Sequence, residues 1–322
     1  MQAIRIHETG GPEKLRVDDV PLPAPGPGEV RIRVEAAGVN FIDTYQRSGL
    51  YPVALPYTLG SEAAGMVTAV GPGVTEFRAG DRVGSAKVAG AYAAEALAPV
   101  AQLVRVPPGV DSRTAAAVLL QGMTAHYLAC DTFPLKTGDT ALVHAAAGGV
   151  GLLLVQIAKR RGARVLATVG TDEKARLARE AGADEVCIYT RDNFSAAARQ
   201  FTGGRGVDVV YDAVGKDTFT GSLDSLRPRG MLVSYGNSSG PVPPFAPLLL
   251  MQKGSLFFTR PTLNHYTGTT VELQARAGEL FRWIGAGELN VRIGATFPLT
   301  AAAEAHRALE GRATTGKVLL LP

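Results

Sequence analysis

A glycine-rich segment in the middle of the chain has the residue types and spacing of a phosphate-binding turn. Within residues 140–169, an apolar strand-length run leads into AAAGGVG, an apolar helical run and a second strand-length run. Glycines at such a turn let the backbone approach a pyrophosphate, and free N–H groups at the start of the helix bind its charge. We predict that a dinucleotide is bound by Gly148, Gly149, Val150 and Gly151.

The match to the strict G-x-G-x-x-G pattern is incomplete, because Ala146 stands where the first glycine would fall. The order strand, turn, helix, strand supports a dinucleotide site in spite of that departure. The alternative is a glycine turn that serves only the close packing of the helix on the strand.

The end of the second strand predicts which nicotinamide cofactor is bound. An NAD enzyme places an acid about 20 residues after the start of the turn, where it binds the ribose 2′-hydroxyl. Here Thr171 and Lys174 offer a hydroxyl and a cation to a 2′-phosphate, which favours NADPH over NADH. Asp172 is predicted to be the N-cap of the next helix. A solvated helix surface is the alternative for Lys174.

The elements around the turn predict an α/β fold. Apolar strand-length runs alternate with helical segments, which is typical of βαβ units in a doubly wound parallel sheet of about six strands. The strands are predicted at 140–144, 164–169, 185–189, 207–211, 231–235 and 255–259, and the helices at 150–161, 172–181, 194–201 and 218–226.

The two ends of the chain have a different texture. Short runs separated by proline and glycine predict antiparallel strands at 3–7, 15–20 and 30–37. The last part predicts two helices and a closing strand, at 270–285, 301–310 and 317–320. We expect this tail to rejoin the first domain, which gives a β-rich domain of residues 1–123 and 263–322 and a nucleotide-binding domain of residues 124–262.

Composition excludes several classes of protein. The chain has 322 residues, of which 46% are hydrophobic and 19% charged, as in an ordinary globular protein. The formal net charge of +4 comes from scattered residues, so nucleic-acid binding is not expected. Neither a secretion signal nor a membrane span of about 18 apolar residues is recognisable. Only two cysteines, Cys130 and Cys187, are present, which indicates a reduced cytoplasmic location.

Several segments together resemble one family. They are GVNFIDTYQRSGLYP, LGSEAAGMVTAVGPGV, AAAGGVG, YDAVG, GNSSG and QKGSLFFTRP, in order along the whole chain. The sequence resembles the zeta-crystallin-type quinone oxidoreductases, a zinc-independent branch of the medium-chain dehydrogenases/reductases. The resemblance implies a GroES-like β-rich catalytic domain, a Rossmann domain that binds NADPH, and a homodimer. It also implies reduction of a small quinone.

The resemblance places one N-terminal segment beside the nicotinamide. Asn40, Tyr45 and Tyr51 in that segment are the candidate catalytic residues, because an amide or a phenol donates a hydrogen bond to a quinone oxygen. Tyr45 and Tyr51 as loop aromatics that cap the core are the alternative. Protons from solvent would complete the reduction.

Further cofactor contacts follow from matching segments of the family. Tyr189 is expected near the adenosine ribose, Asn237 near the nicotinamide ribose or carboxamide, and Arg312 near the adenosine phosphate. A strand-end residue, a turn asparagine and a solvated charge are the respective alternatives. Arg260 lies in the FTRP run without an assignable role.

A zinc site is not expected. Catalytic zinc needs three protein ligands of Cys, His or carboxylate type. The zinc branch has Gly-His-Glu where this chain has Gly60-Ser61-Glu62, and its early cysteine ligand is missing. The five histidines form no HExxH and no close pair, so each is interpreted as structural: His7, His126, His144, His265 and His306.

The sequence argues against three other functions. The GxSxG match at 236–240 is followed by prolines that prevent the helix a serine hydrolase needs. The P-loop-like 311–317 is followed by Val318 instead of Ser or Thr. A non-enzymatic crystallin-type role, binding NADPH or RNA, lacks the basic stripe and interleaved aromatics of RNA binders. Reduction of an α,β-unsaturated carbonyl, an enone or enoyl compound, remains the enzymatic alternative.

Overall fold

The computed structural model describes residues 1–322, which divide into two compact units. Unit 1 comprises Met1–Met123 and Thr267–Pro322, and unit 2 comprises Thr124–Tyr266. The chain returns from unit 2 to unit 1 after Tyr266, four residues later than the boundary after residue 262 that we predict from the sequence.

Sixteen strands and ten α-helices make up the chain. The strands are β1 (Gln2–Ile6), β2 (Arg16–Asp19), β3 (Glu29–Val39), β4 (Tyr57–Thr58), β5 (Glu62–Val70), β6 (Arg82–Ser85), β7 (Glu95–Pro99), β8 (Val104–Arg105), β9 (Thr140–Val143), β10 (Arg164–Val169), β11 (Glu185–Ile188), β12 (Val207–Asp212), β13 (Leu226–Ser234), β14 (Phe257–Thr259), β15 (Ile293–Pro298) and β16 (Lys317–Leu321). The helices are α1 (Phe41–Ser48), α2 (Ser112–Tyr127), α3 (Gly149–Arg160), α4 (Asp172–Glu180), α5 (Phe194–Phe201), α6 (Phe219–Ser225), α7 (Leu248–Gln252), α8 (Leu263–Tyr266), α9 (Thr270–Gly285) and α10 (Ala302–Glu310).

Unit 2 contains a six-stranded sheet in the order β11-β10-β9-β12-β13-β14, and all its strand pairs are parallel. All four residues of β9 are buried, as expected for a central strand covered on both faces. The strand order reverses at β9, and ligands of open α/β sheets bind outside the carboxyl ends of the strands at such a point. The predicted doubly wound α/β class is confirmed.

One strand of this sheet is longer than the sequence indicated. Strand β13 begins at Leu226, whereas the sequence predicted a helix up to residue 226 and a strand only from residue 231. Leu226 pairs with Val207, and the register then shifts before Val209 pairs with Met231. The irregularity in the pairing accommodates Pro228 and Gly230, because a proline cannot donate a backbone hydrogen bond to the neighbouring strand and is tolerated where the pairing is interrupted.

Unit 1 is β-rich. Its larger sheet has seven strands, in the order β15-β16-β3-β5-β6-β8 with β7 also paired to β3, and its smaller sheet has the order β2-β1-β4. Buried aliphatic side chains of both sheets form one core, including Ile6, Ile32 and Val83. Strand β16 pairs with β3, so the C-terminal tail joins the N-terminal segment in one sheet.

Helix α9 begins at a capping box within that tail. The Thr269 hydroxyl accepts from the Glu272 N–H at 3.2 Å, and the Glu272 carboxylate accepts from the Thr269 N–H at 3.0 Å. These two bonds satisfy donors that the start of a helix leaves without partners. No helix in the chain is both long and apolar enough to cross a membrane.

Candidate functional site

The glycine turn in unit 2 joins β9 to α3. Ala145 adopts a left-handed backbone with φ 51°, and Gly148, in extended conformation, is the N-cap of α3. The first helical hydrogen bond runs from the Leu152 N–H to the Gly148 carbonyl at 3.0 Å. The N–H groups of the three helical residues before Leu152 therefore have no acceptor within the helix, and such groups are suited to binding an anion. Those residues are Gly149, Val150 and Gly151.

Two glycines of this turn differ in what a side chain would meet. A Cβ at Gly151 would lie 2.4 Å from the Ala145 carbonyl oxygen and 2.7 Å from the Ala146 Cα, so close helix packing requires this glycine. A Cβ at Gly148 would have a single neighbour within 4 Å, the Ala145 carbonyl oxygen at 3.2 Å. The space beside the Gly148 Cα is therefore almost free of protein atoms, and a ligand could approach the backbone of the turn there.

The N-cap of α4 is Thr171, so the prediction that Asp172 caps this helix is wrong. The Thr171 hydroxyl accepts from the Lys174 N–H at 3.3 Å, and Asp172 is the first helical residue. Both residue types make good caps, and the extended backbone at Thr171 (φ −145°, ψ 161°) decides between them.

Asp172 forms an ion pair that the sequence reasoning missed. Arg191, three residues after β11 ends, donates from both terminal nitrogens to the Asp172 carboxylate, with Nη1 to Oδ1 at 3.1 Å. The Arg191 guanidinium lowers the pKa of Asp172, so the carboxylate stays ionised. The positive charge of the guanidinium balances its negative charge. The only signal in the sequence was an arginine shortly after a predicted strand.

Tyr189 lies beside the same strand end. Its N–H donates to the Val169 carbonyl at 3.1 Å, and a Cβ at Gly170 would lie 2.9 Å from its hydroxyl oxygen. Its side chain is 41% exposed, which leaves ring surface for a ligand. The structure therefore brings Tyr189 together with Thr171, because β10 and β11 are neighbours in the sheet.

Asn237 follows β13 and is held by Arg260, the residue without a role in the sequence. Arg260 Nη1 donates to the Gly236 carbonyl at 3.0 Å and to the Ser234 hydroxyl at 3.3 Å. With its amide oriented by its partners, Asn237 accepts from Arg260 Nη2 at 3.2 Å and donates to the Gly236 carbonyl at 2.9 Å. Arg260 thus braces the loop that carries Asn237.

A network of buried, hydrogen-bonded side chains lies next to the glycine turn. His144, directly after β9, lies between the Thr168 hydroxyl at 2.7 Å and the Ser222 hydroxyl at 3.0 Å. The Ser222 hydroxyl donates in turn to Asp212 at 3.0 Å. Burial lowers the pKa of His144, which keeps the imidazole neutral. These contacts connect three strand ends and give His144 a structural position.

In unit 1, Asn40 lies at the centre of a buried cluster, directly before α1. Its Nδ2 donates to the Gly38 carbonyl at 3.0 Å and to Glu62 Oε2 at 3.1 Å. Its Oδ1 accepts from Gln121 at 2.8 Å and from Lys317 Nζ at 2.9 Å. Both N–H bonds and both oxygen lone pairs are in use, so the amide has nothing left to donate to a substrate. These contacts favour a positioning role for Asn40 over the predicted direct one.

Lys317 and Glu62 form a buried ion pair in this cluster. Lys317 Nζ lies 2.6 Å from Glu62 Oε2, and Glu62 Oε1 accepts from the Leu120 N–H at 2.6 Å. Burial lowers the pKa of Lys317, and the Glu62 carboxylate opposes that fall. A Cβ at Gly38 would lie 2.2 Å from the Glu62 carboxylate, so the pair fits only over a glycine.

Tyr45 and Tyr51 pack together at the C-terminal end of α1. Their ring centroids are 5.3 Å apart in an edge-to-face arrangement, and the Tyr51 N–H donates to the Tyr45 carbonyl at 3.0 Å. Tyr51 is 38% exposed. Tyr45 lies in α1, Asn40 directly precedes this helix and Tyr51 follows its C-cap Gly49.

A second buried polar chain fixes this helix. Tyr92 donates to the Asp43 carboxylate at 2.9 Å and lies 3.2 Å from His306, which contacts Arg47 at 3.0 Å. Burial raises the pKa of Asp43 to about 7 and lowers that of His306 to about 3. Arg47 also pairs with Glu310. Sequence reasoning missed the chain, apart from interpreting His306 as structural.

Arg312 belongs to unit 1, on the turn between α10 and β16. Its backbone is left-handed, with φ 55°, and its side chain is exposed. Its contact with the cofactor stays a prediction.

The remaining predicted residues follow the strands of unit 2. The glycine turn, Thr171, Tyr189 and Asn237 all come after the carboxyl ends of parallel strands and so lie along one sheet edge. Across all 322 residues, no group of three His, Cys, Asp or Glu side chains is arranged to hold a metal ion.

Two family models match the chain. The alcohol dehydrogenase GroES-like domain matches residues 26–132, and the zinc-binding dehydrogenase model matches residues 149–283.

Similar proteins cover its whole length. A quinone oxidoreductase of Pseudomonas aeruginosa is 50% identical over 315 residues, which is 97% of each chain. A 2-haloacrylate reductase of Burkholderia sp is 45% identical and covers 100% of this chain and 99% of its own. The solved structure of an Escherichia coli quinone oxidoreductase complexed with NADPH has a TM-score of 0.98 and 44% identity, with all of both chains covered. The chain belongs to the quinone oxidoreductase family of the medium-chain dehydrogenases/reductases and is an oxidoreductase.

Proposed function

We propose that this protein transfers a hydride from NADPH to a small quinone without the help of zinc. The observation that carries the proposal is the open glycine turn before α3, in a chain 44–50% identical to quinone oxidoreductases over its full length. The NADPH-complexed structure of the E. coli relative supports the choice of cofactor.

The residues of unit 2 fit NADPH. Three N–H groups at the start of α3 match a pyrophosphate, and the space at Gly148 lets it approach. Beside β10, the Thr171 hydroxyl and Lys174 would meet the 2′-phosphate. Arg191 neutralises Asp172, the acid that would otherwise repel that phosphate. Tyr189 and Asn237 would contact the adenosine and nicotinamide ends.

The chemistry comes from the dihydronicotinamide, which supplies a hydride when NADPH is bound. In unit 1, Tyr45 and Tyr51 would donate hydrogen bonds to the oxygen that gains negative charge in the acceptor. Asn40 would act indirectly, by joining α1 to the Lys317–Glu62 pair. Solvent would supply the final proton.

The donor set of unit 1 does not fit a catalytic zinc ion. Ser61 offers a hydroxyl where the zinc branch has its histidine, and Glu62 is engaged by the Lys317 ammonium at 2.6 Å. Zinc needs three Cys, His or carboxylate ligands, and one occupied carboxylate does not provide them. We therefore propose zinc-independent reduction.

Reduction of an α,β-unsaturated carbonyl is the second candidate. The 2-haloacrylate reductase that is 45% identical over the whole chain favours it. Both acceptors take a hydride on an electron-poor conjugated carbon, so the same tyrosines would serve either reaction.

We further propose a homodimer in a reducing cytoplasm. Strand β14 is the edge of the unit 2 sheet, and exposed apolar side chains lie on and near it: Leu248, Met251 and Phe257. An apolar sheet edge favours pairing with a second copy. Neither Cys130 nor Cys187 forms a disulfide bond, which is compatible with a reducing compartment. Light scattering of the purified protein would give the oligomeric state.

The test is the initial rate of NADPH oxidation by the purified protein with a soluble quinone, a simple enone or no acceptor. Quinone-dependent turnover well above the other two reactions supports the proposal. Turnover with the enone alone would replace it with the second candidate, and no turnover with either acceptor would contradict both.

A further inference from the structure

The amide oxygen of Gln121 is a buried acceptor without a donor. Gln121 is 7% exposed, and its Nε2 donates to Asn40 Oδ1 at 2.8 Å. Its Oε1 is completely buried and has no hydrogen-bond partner. A buried carbonyl oxygen left in this way costs free energy, so native proteins rarely leave one unsatisfied without a reason.

The orientation of this amide is determined by its neighbours. Asn40 Nδ2 must face the Glu62 carboxylate, which only accepts, and Asn40 Oδ1 must face the Lys317 ammonium, which only donates. Asn40 Oδ1 therefore presents an acceptor to Gln121. Rotating the Gln121 amide by 180° would place two acceptor oxygens against each other.

The half-buried Gln46 differs from Gln121 in this respect. Gln46 Oε1 also has no partner, but its Nε2 makes a long contact of 3.4 Å to the Tyr57 hydroxyl. A hydroxyl can donate as well as accept, so rotating the Gln46 amide would satisfy its oxygen. Gln121 has no such remedy within the protein.

A second unpartnered group lies nearby in the fold. The Ser61 hydroxyl is buried and has no hydrogen-bond partner. Ser61 directly precedes Glu62 and Gln121 directly follows Leu120, and the 2.6 Å bond from the Leu120 N–H to Glu62 joins these two segments. Two unsatisfied polar groups thus flank one hydrogen bond in the cluster that holds α1.

We propose that Gln121 Oε1 accepts a hydrogen bond from a ligand. Lys317 and Glu62 fix the orientation of the Asn40 amide, and Asn40 in turn fixes the orientation of the Gln121 amide. This inference rests on the proposed function. A quinone oxygen only accepts, so the oxidised acceptor itself cannot supply the bond. The donor is an N–H or O–H group. We assign it to one of the two donors at the reacting ends of the cofactor and the product: the carboxamide of the nicotinamide ring or the hydroxyl of the reduced acceptor.

The experiment compares the wild-type protein with Gln121→Met, which keeps the length of the side chain and removes its polar atoms. Three constants are measured: the Kd of NADPH, the Kd of its reduced 3-acetylpyridine analogue, which has no carboxamide N–H, and the inhibition constant of a hydroquinone product. We expect Gln121→Met to weaken one ligand by about three- to tenfold. Loss for NADPH but not for the analogue identifies the carboxamide, and loss for the hydroquinone alone identifies its hydroxyl.

Gln274→Met is the matched control, because Gln274 donates to the Leu103 carbonyl at 2.7 Å in the same unit. It should leave all three constants unchanged. Constants unaltered in Gln121→Met, or weakened equally for NADPH and its analogue, whether or not the hydroquinone is also weakened, would overturn the proposal.

Two further measurements separate the outcomes. If Gln121→Met does not fold, the wild-type protein is tested alone: equal affinity for NADPH and its analogue, together with equal inhibition by the hydroquinone and its dimethyl ether, would overturn the inference. Wild-type turnover of NADPH with quinone is measured first, and its absence would count against the proposed function itself.

Discussion

Lys317 donates to Glu62 across 2.6 Å, and both side chains are almost completely buried, at 1% and 0% exposed. The two residues are 255 positions apart and join the start of β16 to the start of β5. The pair also contacts Asn40, the N-cap of α1, which contains Tyr45 and is followed by Tyr51. A charged pair at this depth therefore ties the C-terminal tail of unit 1 to the helix of the candidate catalytic residues.

Breaking this pair should destabilise the protein strongly. We expect Lys317→Met to lower the free energy of unfolding by about 3–5 kcal/mol, because it leaves the Glu62 carboxylate buried without a counter-charge. The double variant Lys317→Met/Glu62→Gln should lose less, since no charge remains buried. Urea unfolding measures both. A double variant that is less stable than Lys317→Met would refute the explanation by an unpaired charge.

The two glycines of the turn should separate binding from folding. Gly148→Val should abolish NADPH binding at a cost to stability of about 1 kcal/mol, because a side chain there meets little protein and weakens the N-cap of α3 but occupies the ligand's space. Gly151→Ala should lower stability by about 1–3 kcal/mol, since its Cβ would collide with the Ala145 and Ala146 backbone. Cofactor fluorescence titration and thermal unfolding give the two readouts. Tight NADPH binding by Gly148→Val would mean that this glycine is purely structural.

Cofactor preference should depend on the Asp172–Arg191 pair. Arg191→Ala leaves the Asp172 carboxylate without its counter-charge, so the KM for NADPH should rise by roughly tenfold relative to that for NADH. Adding Asp172→Asn should restore most of the preference, because the repelling charge is removed.

Lys174→Ala serves as the comparison for that pair. Its effect on NADPH should not be rescued by Asp172→Asn, since a direct phosphate contact would be lost. If Asp172→Asn fails to rescue Arg191→Ala as well, Arg191 contacts the phosphate itself and the neutralisation argument fails.

Stability should depend on pH through Asp43. Burial raises its pKa from 3.8 to about 7, so between these values the folded protein holds a proton that the unfolded chain has released. The contribution of Asp43 is complete below pH 4 and is lost as the pH rises through 7, by about 1.4 kcal/mol for each pH unit in that window.

Asp43→Asn isolates this effect. An asparagine oxygen can still accept from Tyr92 and from the Asn40 N–H, but it does not titrate. Urea unfolding at pH 5, 6, 7 and 8 should show the wild-type protein losing stability relative to Asp43→Asn up to about pH 7 and no further. Parallel curves across that range would exclude a raised pKa at Asp43.

Local patterns predicted most of unit 2 and little of the cluster in unit 1. The glycine turn and α3 depend on neighbouring residues, and the predicted strands follow from short apolar runs, so both are readable from the sequence. The sequence could not decide between Thr171 and Asp172 as the N-cap of α4. Both residue types are good caps, and only the backbone conformation distinguishes them.

The partners of Asn40 could not be predicted either. Gln121 and Lys317 lie 81 and 277 positions away from it. A lysine at the start of the apolar segment KVLLL, and a glutamate before a small-residue strand, were the only signs of a buried ion pair. Which charges meet inside a β-rich unit depends on strand pairing, here β16 and β5 on either side of β3.

The most direct measurement is the steady-state oxidation of NADPH and of NADH by the exhaustively chelated protein with a soluble quinone. We predict rapid quinone-dependent turnover that prefers NADPH and is unchanged by chelation. Activity that disappears on chelation and returns with added zinc, or a clear preference for NADH, would contradict zinc-independent hydride transfer from NADPH.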